Sequence, residues 1–398
     1  MKNDREIEKS EDVTNNTEYD IETWDDLEMD SSILRGIYAY GFEKPSPIQK
    51  KAIKPILMGK DIIAQAQSGT GKTATFSIGA LSILNLEEST SQVLIISPTR
   101  ELTIQTATVI SNIGSLLPNL KVQTLFGGSS VDENIEQLKN HPAVLCGCPG
   151  RVYDLIRRNK INTKTIKLMI LDEADELLSQ GFKEQIYNIF KYLNNDVQVA
   201  LFSATLPAHL FTITDKFMRD PVKIIVKTEQ LTLEGISQFY IAMEEENHKY
   251  DTLKDLYSHI SLSQCIIYCN SVRRVEDLYE WMLRDGFPVC CIHSNMERHL
   301  RENAFLDFRN GKSRVLISSN VTSRGIDIQQ VSTVINYDIP KDIHNYLHRI
   351  GRSGRWGRKG FGINFITRRD VHKMKEIEQY YSCEVRELPA DLTIFRGT

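Results

Sequence analysis

The run Ala66-Gln67-Ser68-Gly69-Thr70-Gly71-Lys72-Thr73 holds the residue types that can wrap a phosphate chain. Glycines let backbone N–H groups approach phosphate oxygens, and a helix opening behind the loop adds a favourable field. A lysine there neutralises the β- and γ-phosphates, and the hydroxyl after it can take a magnesium ion. Ser68, Gly69, Thr70, Gly71, Lys72 and Thr73 are therefore candidate nucleotide-binding residues, with Ala66 standing where the usual pattern has its first glycine. A plain turn is the competing reading. Farther along, Asp172-Glu173-Ala174-Asp175 follows the apolar run Leu168 to Leu171. Asp172 is the candidate metal-side carboxylate, and Glu173 the candidate to orient and deprotonate an attacking water. On its own this tetrapeptide would equally fit a helix cap or an acidic surface patch. Paired with Lys72, it points to phosphoryl transfer.

Both motifs need sheet edges to present them. Short β-branched runs alternate with longer helical patterns, the signature of parallel α/β units. Predicted strands of a first set are 61–66, 93–97, 122–126, 144–147, 168–171 and 197–202; those of a second set are 238–243, 264–269, 289–293, 314–319, 333–337 and 362–366. The phosphate-loop run and the acidic tetrapeptide each follow a predicted strand, at the carboxyl edge where α/β sheets bind ligands. Residues 227–235 are polar, end in Gly235 and lack periodicity, which places a linker between two α/β domains. The two sets share no sequence period, so a duplication is not readable from the residues.

Composition narrows the class. A chain of 398 residues, 41% apolar and 25% charged, is long enough for two cores and ordinary for a soluble globular protein. The formal charge is -4, yet residues 1 to 30 hold twelve carboxylates against Lys2, Arg5 and Lys9, leaving the remainder mildly basic. That balance permits a local cationic groove and argues against the grip of a basic DNA-reading domain. Residues 1–20 read as a solvated acidic tail. The seven cysteines form no CxxC spacing, which disfavours a zinc site and suits a reducing compartment. With neither a membrane-length apolar run nor an apolar signal core, the chain reads as intracellular and soluble, with nucleus and cytoplasm not distinguished.

With Lys72 and Asp172-Glu173-Ala174-Asp175 in hand, the sequence resembles the DEAD-box RNA helicases, and the match runs over nearly the whole chain. The resemblance implies two tandem RecA-like domains, each a mostly parallel sheet flanked by helices, at 21–226 and 236–398. It implies ATP and Mg2+ as cofactors, with Thr73 and Asp172 on the metal. Gly41 to Gln49 looks like the family's adenine-reading segment, with Trp24 as its upstream aromatic; Gln49 can donate to and accept from an adenine edge, and Phe42 offers a stacking face. Pro98-Thr99-Arg100, Gly127-Gly128 and Cys148-Pro149-Gly150-Arg151 match RNA-facing positions of the first domain, and Asn270, Arg301 and Ser318 match those of the second. Contacts of this kind grip phosphates and sugars and carry no sequence information. Ser203-Ala204-Thr205 resembles the motif that couples hydrolysis to unwinding through Asp175. In His348-Arg349-Ile350-Gly351-Arg352-Ser353-Gly354-Arg355, the family assigns His348 and Arg349 to coupling, and Arg352 and Arg355 to the γ-phosphate as catalytic fingers. Asp327 is expected at the ATP ribose.

Within the family, segments such as Leu34 to Phe42, Glu229 to Gly235 and Ile377 to Ser382 look most like the initiation factor 4A branch, including its exon-junction relative. The implied activity is RNA-stimulated ATP hydrolysis with local duplex unwinding, by a monomer serving translation initiation or RNA processing with protein partners and no membrane. Several positions depart from the pattern: Cys148 for Thr, Thr103 for Ala, Asn295 and Arg298 in the His293 to Arg298 stretch, and Asn320 and Ser323 near Arg324. These departures cluster on the RNA side and lead us to expect a working ATPase with altered RNA affinity or coupling. Rival readings are a slowly hydrolysing ATP-dependent RNA clamp, a DNA helicase, and a P-loop kinase or GTPase.

Overall fold

A computed structural model describes residues 19–66, 69–178, 181–206, 214, 216–225, 236–259, 264–320, 331–353 and 360–389, with His259 and Arg298 through their backbones alone. Among the sequence expectations, Ser68, Asp327, Arg355, Ser323, the linker 227–235 and nearly all of the tail 1–20 lie outside those residues. Main-chain proximity divides the chain into two units, Met1–Val226 and Lys227–Thr398.

The first unit is built on strands β1 (Ile62–Gln65), β2 (Val93–Ile96), β3 (Val122–Leu125), β4 (Val144–Gly147), β5 (Leu168–Asp172), β6 (Gln198–Ser203) and β7 (Val222–Ile225). They form one parallel sheet in the order β3-β4-β2-β5-β6-β1-β7. The second unit carries β8 (Ile236–Ala242), β9 (Cys265–Tyr268), β10 (Val289–Ile292), β11 (Val315–Ser318), β12 (Thr333–Asn336), β13 (Gly360–Ile366) and β14 (Arg386–Glu387). Its order, β10-β11-β9-β12-β13-β8-β14, repeats the first with every strand advanced by seven. The likeness that no sequence period reveals is therefore present in the topology. These two helix-flanked parallel sheets are the architecture the residues imply. Neither β7 nor β14 is expected from the sequence; both are outermost in their sheets, and β7, largely half-exposed, and β14, an exposed Arg-Glu pair, lack the continuous apolar run of the inner strands.

Parallel strands covered by helices on both faces must be apolar on both faces. In β2, Val93 and Ile95 enter the core with Phe76 and Ile110, while Leu94 and Ile96 enter the opposite core with Leu155 and Leu177. In β9, Cys265 and Ile267 face one core of the second unit, and Ile266 and Tyr268 face the other. One helix contact is too close for any side chain: a Cβ added at Gly36, in the Ser31–Ala39 helix, would sit 1.8 Å from the carbonyl oxygen of Ile113. Among the described residues, no helix is long and apolar enough to cross a membrane.

Candidate functional site

Three neighbouring strands of the first sheet, β5, β6 and β1, end side by side, with Gln65 level with Ser203 and Asp172 level with Phe202. Sheet order thus gathers residues far apart in sequence onto one carboxyl edge. Beyond β1, Gly69 and Gly71 adopt φ of 85° and 100°, left-handed conformations that a glycine adopts without strain. Gly71 caps the helix Lys72–Ser82. Lys72, the first residue of that helix, is buried and donates from Nζ to the Ala66 carbonyl at 2.9 Å. The same ammonium lies 3.9 Å from Glu173 Oε1. The phosphate-loop lysine and the candidate base are therefore brought together.

Glu173 itself has φ 51°, a left-handed conformation for a residue with a side chain. Such a backbone carries strain of order 1–3 kcal/mol and persists where its surroundings fix it, often at reactive sites. Its amide donates to Asp172 Oδ1 at 3.0 Å. Burial, reinforced by the negative charge of Glu173 and opposed by Lys72, pushes the Asp172 carboxyl up to about 7. The other oxygen, Asp172 Oδ2, is buried with no hydrogen-bond partner among the described residues. An orphaned buried carboxylate oxygen at this edge, with Thr73 half-buried as the second residue of the helix after the phosphate loop, is a donor set that suits a small hard cation. Asp175 closes the group. Thr205 Oγ1 donates to Asp175 Oδ2 at 2.7 Å, and the Asp175 amide donates to Ser203 Oγ at 3.3 Å.

The expected adenine segment packs against the same loop. Gln49 Oε1 accepts from the Ser46 amide at 2.6 Å in the cap of the Pro47–Leu57 helix. A Cβ on Gly71 would approach Gln49 Nε2 to 2.8 Å, so loop and amide touch. Phe42 is half-buried, and its carbonyl accepts from the indole Nε1 of fully buried Trp24 at 3.0 Å.

Most first-unit residues expected on the RNA side line the carboxyl ends of β2, β3 and β4. Thr99 caps the Arg100–Ile113 helix directly after the buried Pro98. Arg100 donates to the Gly127 carbonyl at 2.5 Å and lies over the Phe126 ring, and a Cβ on Gly128 (φ 84°) would meet the Arg100 guanidinium at 2.6 Å. Pro149 and Gly150 open the next helix, from which Arg151 donates to the Ser129 carbonyl at 2.8 Å and to Asn134. Two departures from the family pattern meet here: Thr103 Oγ1 lies 3.5 Å from Cys148 Sγ. Relative to that pattern the hydroxyl lost at 148 reappears at 103, across one contact from the Cys148 thiol, a coupling invisible in sequence.

In the second unit, Arg349 is buried and, among the described residues, donates to neutral oxygens only. Its guanidinium donates to Asn320 Oδ1 (2.9 and 2.7 Å), Asn336 Oδ1 (3.2 Å), the Asp338 carbonyl (2.7 Å) and Asn270 Oδ1 (2.8 Å). Burial pulls it down to about 10. Asn270 also donates to the Ile339 carbonyl at 2.8 Å. Ser318 is fully buried and donates to the Ile292 carbonyl at 2.8 Å. Asn270 and Ser318, two positions expected on the RNA side, thus also hold neighbours in place through hydrogen bonds within the unit. The Arg301 amide donates to the Glu297 carbonyl, and burial, opposed by Glu276 and aided by the positive charge of Arg301, holds His293 below the ordinary imidazole range. Arg352 Nε donates to the carbonyl of His348, one turn earlier. Sequence reasoning missed Asp338 and Lys249, described below; the signal available was a carboxylate just past a buried strand, as at Asp172.

The chain matches the DEAD/DEAH box helicase family over residues 46–213 and the helicase conserved C-terminal domain over 248–357. It is 49% identical over 392 residues to the ATP-dependent RNA helicase eIF4A of Aspergillus niger, covering 98% of each chain. It is 49% identical over 380 residues to eukaryotic initiation factor 4A of Caenorhabditis elegans, covering 96% of this chain and 94% of that one. Among solved structures, Dbp5 of S. cerevisiae bound to RNA and ADP BeF3 is similar with a TM-score of 0.86 at 35% identity, covering 93% and 96% of the two chains. From the strand-end cluster and these relatives together, the chain belongs to the DEAD-box family of ATP-dependent RNA helicases, in its initiation factor 4A branch.

Proposed function

We propose that this protein hydrolyses ATP in response to RNA and uses the cycle to separate short duplexes or remodel RNA–protein complexes. The observation that carries the reading is the convergence of Lys72, Asp172, Glu173, Asp175 and Thr205 on one sheet edge. Lys72 holds the phosphate chain and sets the charge beside Glu173. Glu173, aimed by its left-handed backbone, orients the attacking water and takes its proton. Thr73 and Asp172 would hold Mg2+, which when bound neutralises charge on the β- and γ-phosphate oxygens. Gln49 and Phe42 select the base. Thr205 and Ser203 tie the Asp175 backbone and carboxylate to β6, so that the state of the nucleotide is felt along that strand. Arg352 and Arg355 supply positive charge to the transferring phosphoryl group. In the RNA track, Arg100 and Arg151 are held by carbonyls and present backbone-reading contacts, which suits an RNA partner of any sequence.

The test is steady-state ATP turnover with and without single-stranded RNA for wild type, K72A and E173Q. RNA should raise turnover, and each substitution should lower it by about a hundredfold or more, in line with the usual effect of removing a positioned acid–base or charge-stabilising group. Wild type that turns over no ATP under any polynucleotide would sink the reading.

A further inference from the structure

The repeated strand order places β8, β12 and β13 where the first sheet has β1, β5 and β6. The lysine–carboxylate pair is repeated as well. Lys249 is the second residue of the helix that follows β8, is about 1% exposed, and its Nζ lies 3.3 Å from Asp338 Oδ1, just past β12. The segment before that helix, Met243-Glu244-Glu245-Glu246-Asn247, has no glycine and three carboxylates, so it cannot wrap a nucleotide's phosphate chain. What remains at this edge is a cleft of about 410 Å3, lined by Glu246, Lys249, Ser271, Asp338, Lys341 and Arg369, with Arg274, Asn270 and Asp370 beside them.

Charge decides what it can hold. Glu246 is engaged by Lys249 at 3.0 Å and by Arg274, and Asp338 by Lys249 and by Arg274 at 3.2 Å. Asp370 accepts from the amide and hydroxyl of Thr367 at 2.9 and 2.7 Å. Lys341 and Arg369 stand exposed on the rim, and among the described residues neither is paired with a carboxylate. Four cations against three carboxylates leave one positive charge. Ser271, N-cap of the Val272–Arg284 helix, adds that helix's positive end.

We infer that this cleft is a phosphate subsite that takes one phosphodiester of the RNA strand, with Lys341 and Arg369 as its ligands and Lys249 as its buried anchor. The inference rests on the RNA reading above. One unmatched charge complements one phosphodiester, whereas a polyphosphate would face three carboxylates. Asn270 and Ser271, at its wall, continue the stretch expected on the RNA side.

The test is a salt series of single-stranded RNA binding, by fluorescence anisotropy with a non-hydrolysable ATP analogue, on wild type and the double variant K341A/R369A. Losing one phosphate contact should reduce the slope of log K against log salt by about 0.7 and weaken binding about fivefold near 0.1 M salt, uniformly across sequences. Both positions are on the surface, and an unchanged melting temperature shows that the variant is folded. A slope and affinity equal to wild type overturn the inference, while wild type that binds no RNA overturns the helicase reading instead. Pyrophosphate is titrated into both proteins by thermal shift. Protection of wild type alone, with an unchanged RNA slope, would reassign the cleft to a free phosphate compound and refute the RNA assignment.

Discussion

Replacing Arg349 by lysine keeps the charge and removes the fork. Among the described residues Arg349 makes five hydrogen bonds to four acceptor atoms, none of them a carboxylate. An ammonium has three donors converging on one nitrogen, so at least two of these bonds cannot be remade. Each bond from a charged donor is worth about 1.5–3 kcal/mol, and the abandoned oxygens belong to buried or half-buried amides that water cannot fully serve. The expected loss is therefore about 3–6 kcal/mol, concentrated in the second unit. For a unit of this size each kcal/mol lowers the melting temperature by about 2–4 °C, which predicts a fall of at least ~6 °C in the transition of that unit. Differential scanning calorimetry of the full chain reads it directly, with the transition of the first unit as internal reference. A fall under about 2 °C would mean that the network of amides around Arg349 adds nothing to stability, and the account of Asn270 as a positioning residue would fail with it.

Four further outcomes follow from the geometry. G71A forces a side chain into φ 100° and toward Gln49 Nε2, so nucleotide affinity by fluorescence titration should fall at least about tenfold with the melting temperature nearly unchanged. T205V removes the 2.7 Å bond to Asp175 and should lower RNA-stimulated turnover about tenfold while nucleotide affinity stays put; loss of affinity instead would place Thr205 in binding. Because the Asp172 carboxyl is raised to about 7 in the folded state from 3.8, the folded protein holds that proton more tightly than the unfolded chain does. Without magnesium the contribution of this group is fully present below about pH 4 and is lost as pH rises through about 7; the urea midpoint of wild type relative to D172N should fall across that range, and a constant difference would refute the account. G36A would drive a Cβ into the Ile113 carbonyl, and its first-unit transition should drop by several degrees; an unchanged transition would show that the two helices can part freely.

The chemistry of the first unit was legible because its residues are consecutive. Gly69 to Thr73 and Asp172 to Asp175 each sit in one strand–loop–helix step, and a strand's end fixes where they point. The inner strands were legible from continuous apolar runs, whereas β7 and β14 lack that signal because each has one unpaired edge. What sequence reading could not reach were pairs assembled by topology alone. Lys249 and Asp338 are 89 positions apart and meet because β8 and β12 flank β13. Thr103 and Cys148 each read as an isolated departure, and only the approach of the two helices after β2 and β4 makes them one contact. Asn270 and Ser318 match RNA-side positions by motif alone. Their hydrogen bonds add a bracing of neighbours within the unit that the motif does not reveal.

The position of β1 within its sheet also dictates when the protein becomes competent during synthesis. Its hydrogen-bonded neighbours are β6 and β7, so the strand that launches the phosphate loop has no lateral partner until Gln198–Ser203 has emerged from the ribosome and gains its second only at Val222–Ile225. Non-local pairing of this kind is slow, and domains tend to fold as units during translation. Nucleotide capture by a nascent chain would thus register completion of the amino-terminal half, and chains stalled before Gln198 should be blind to ATP.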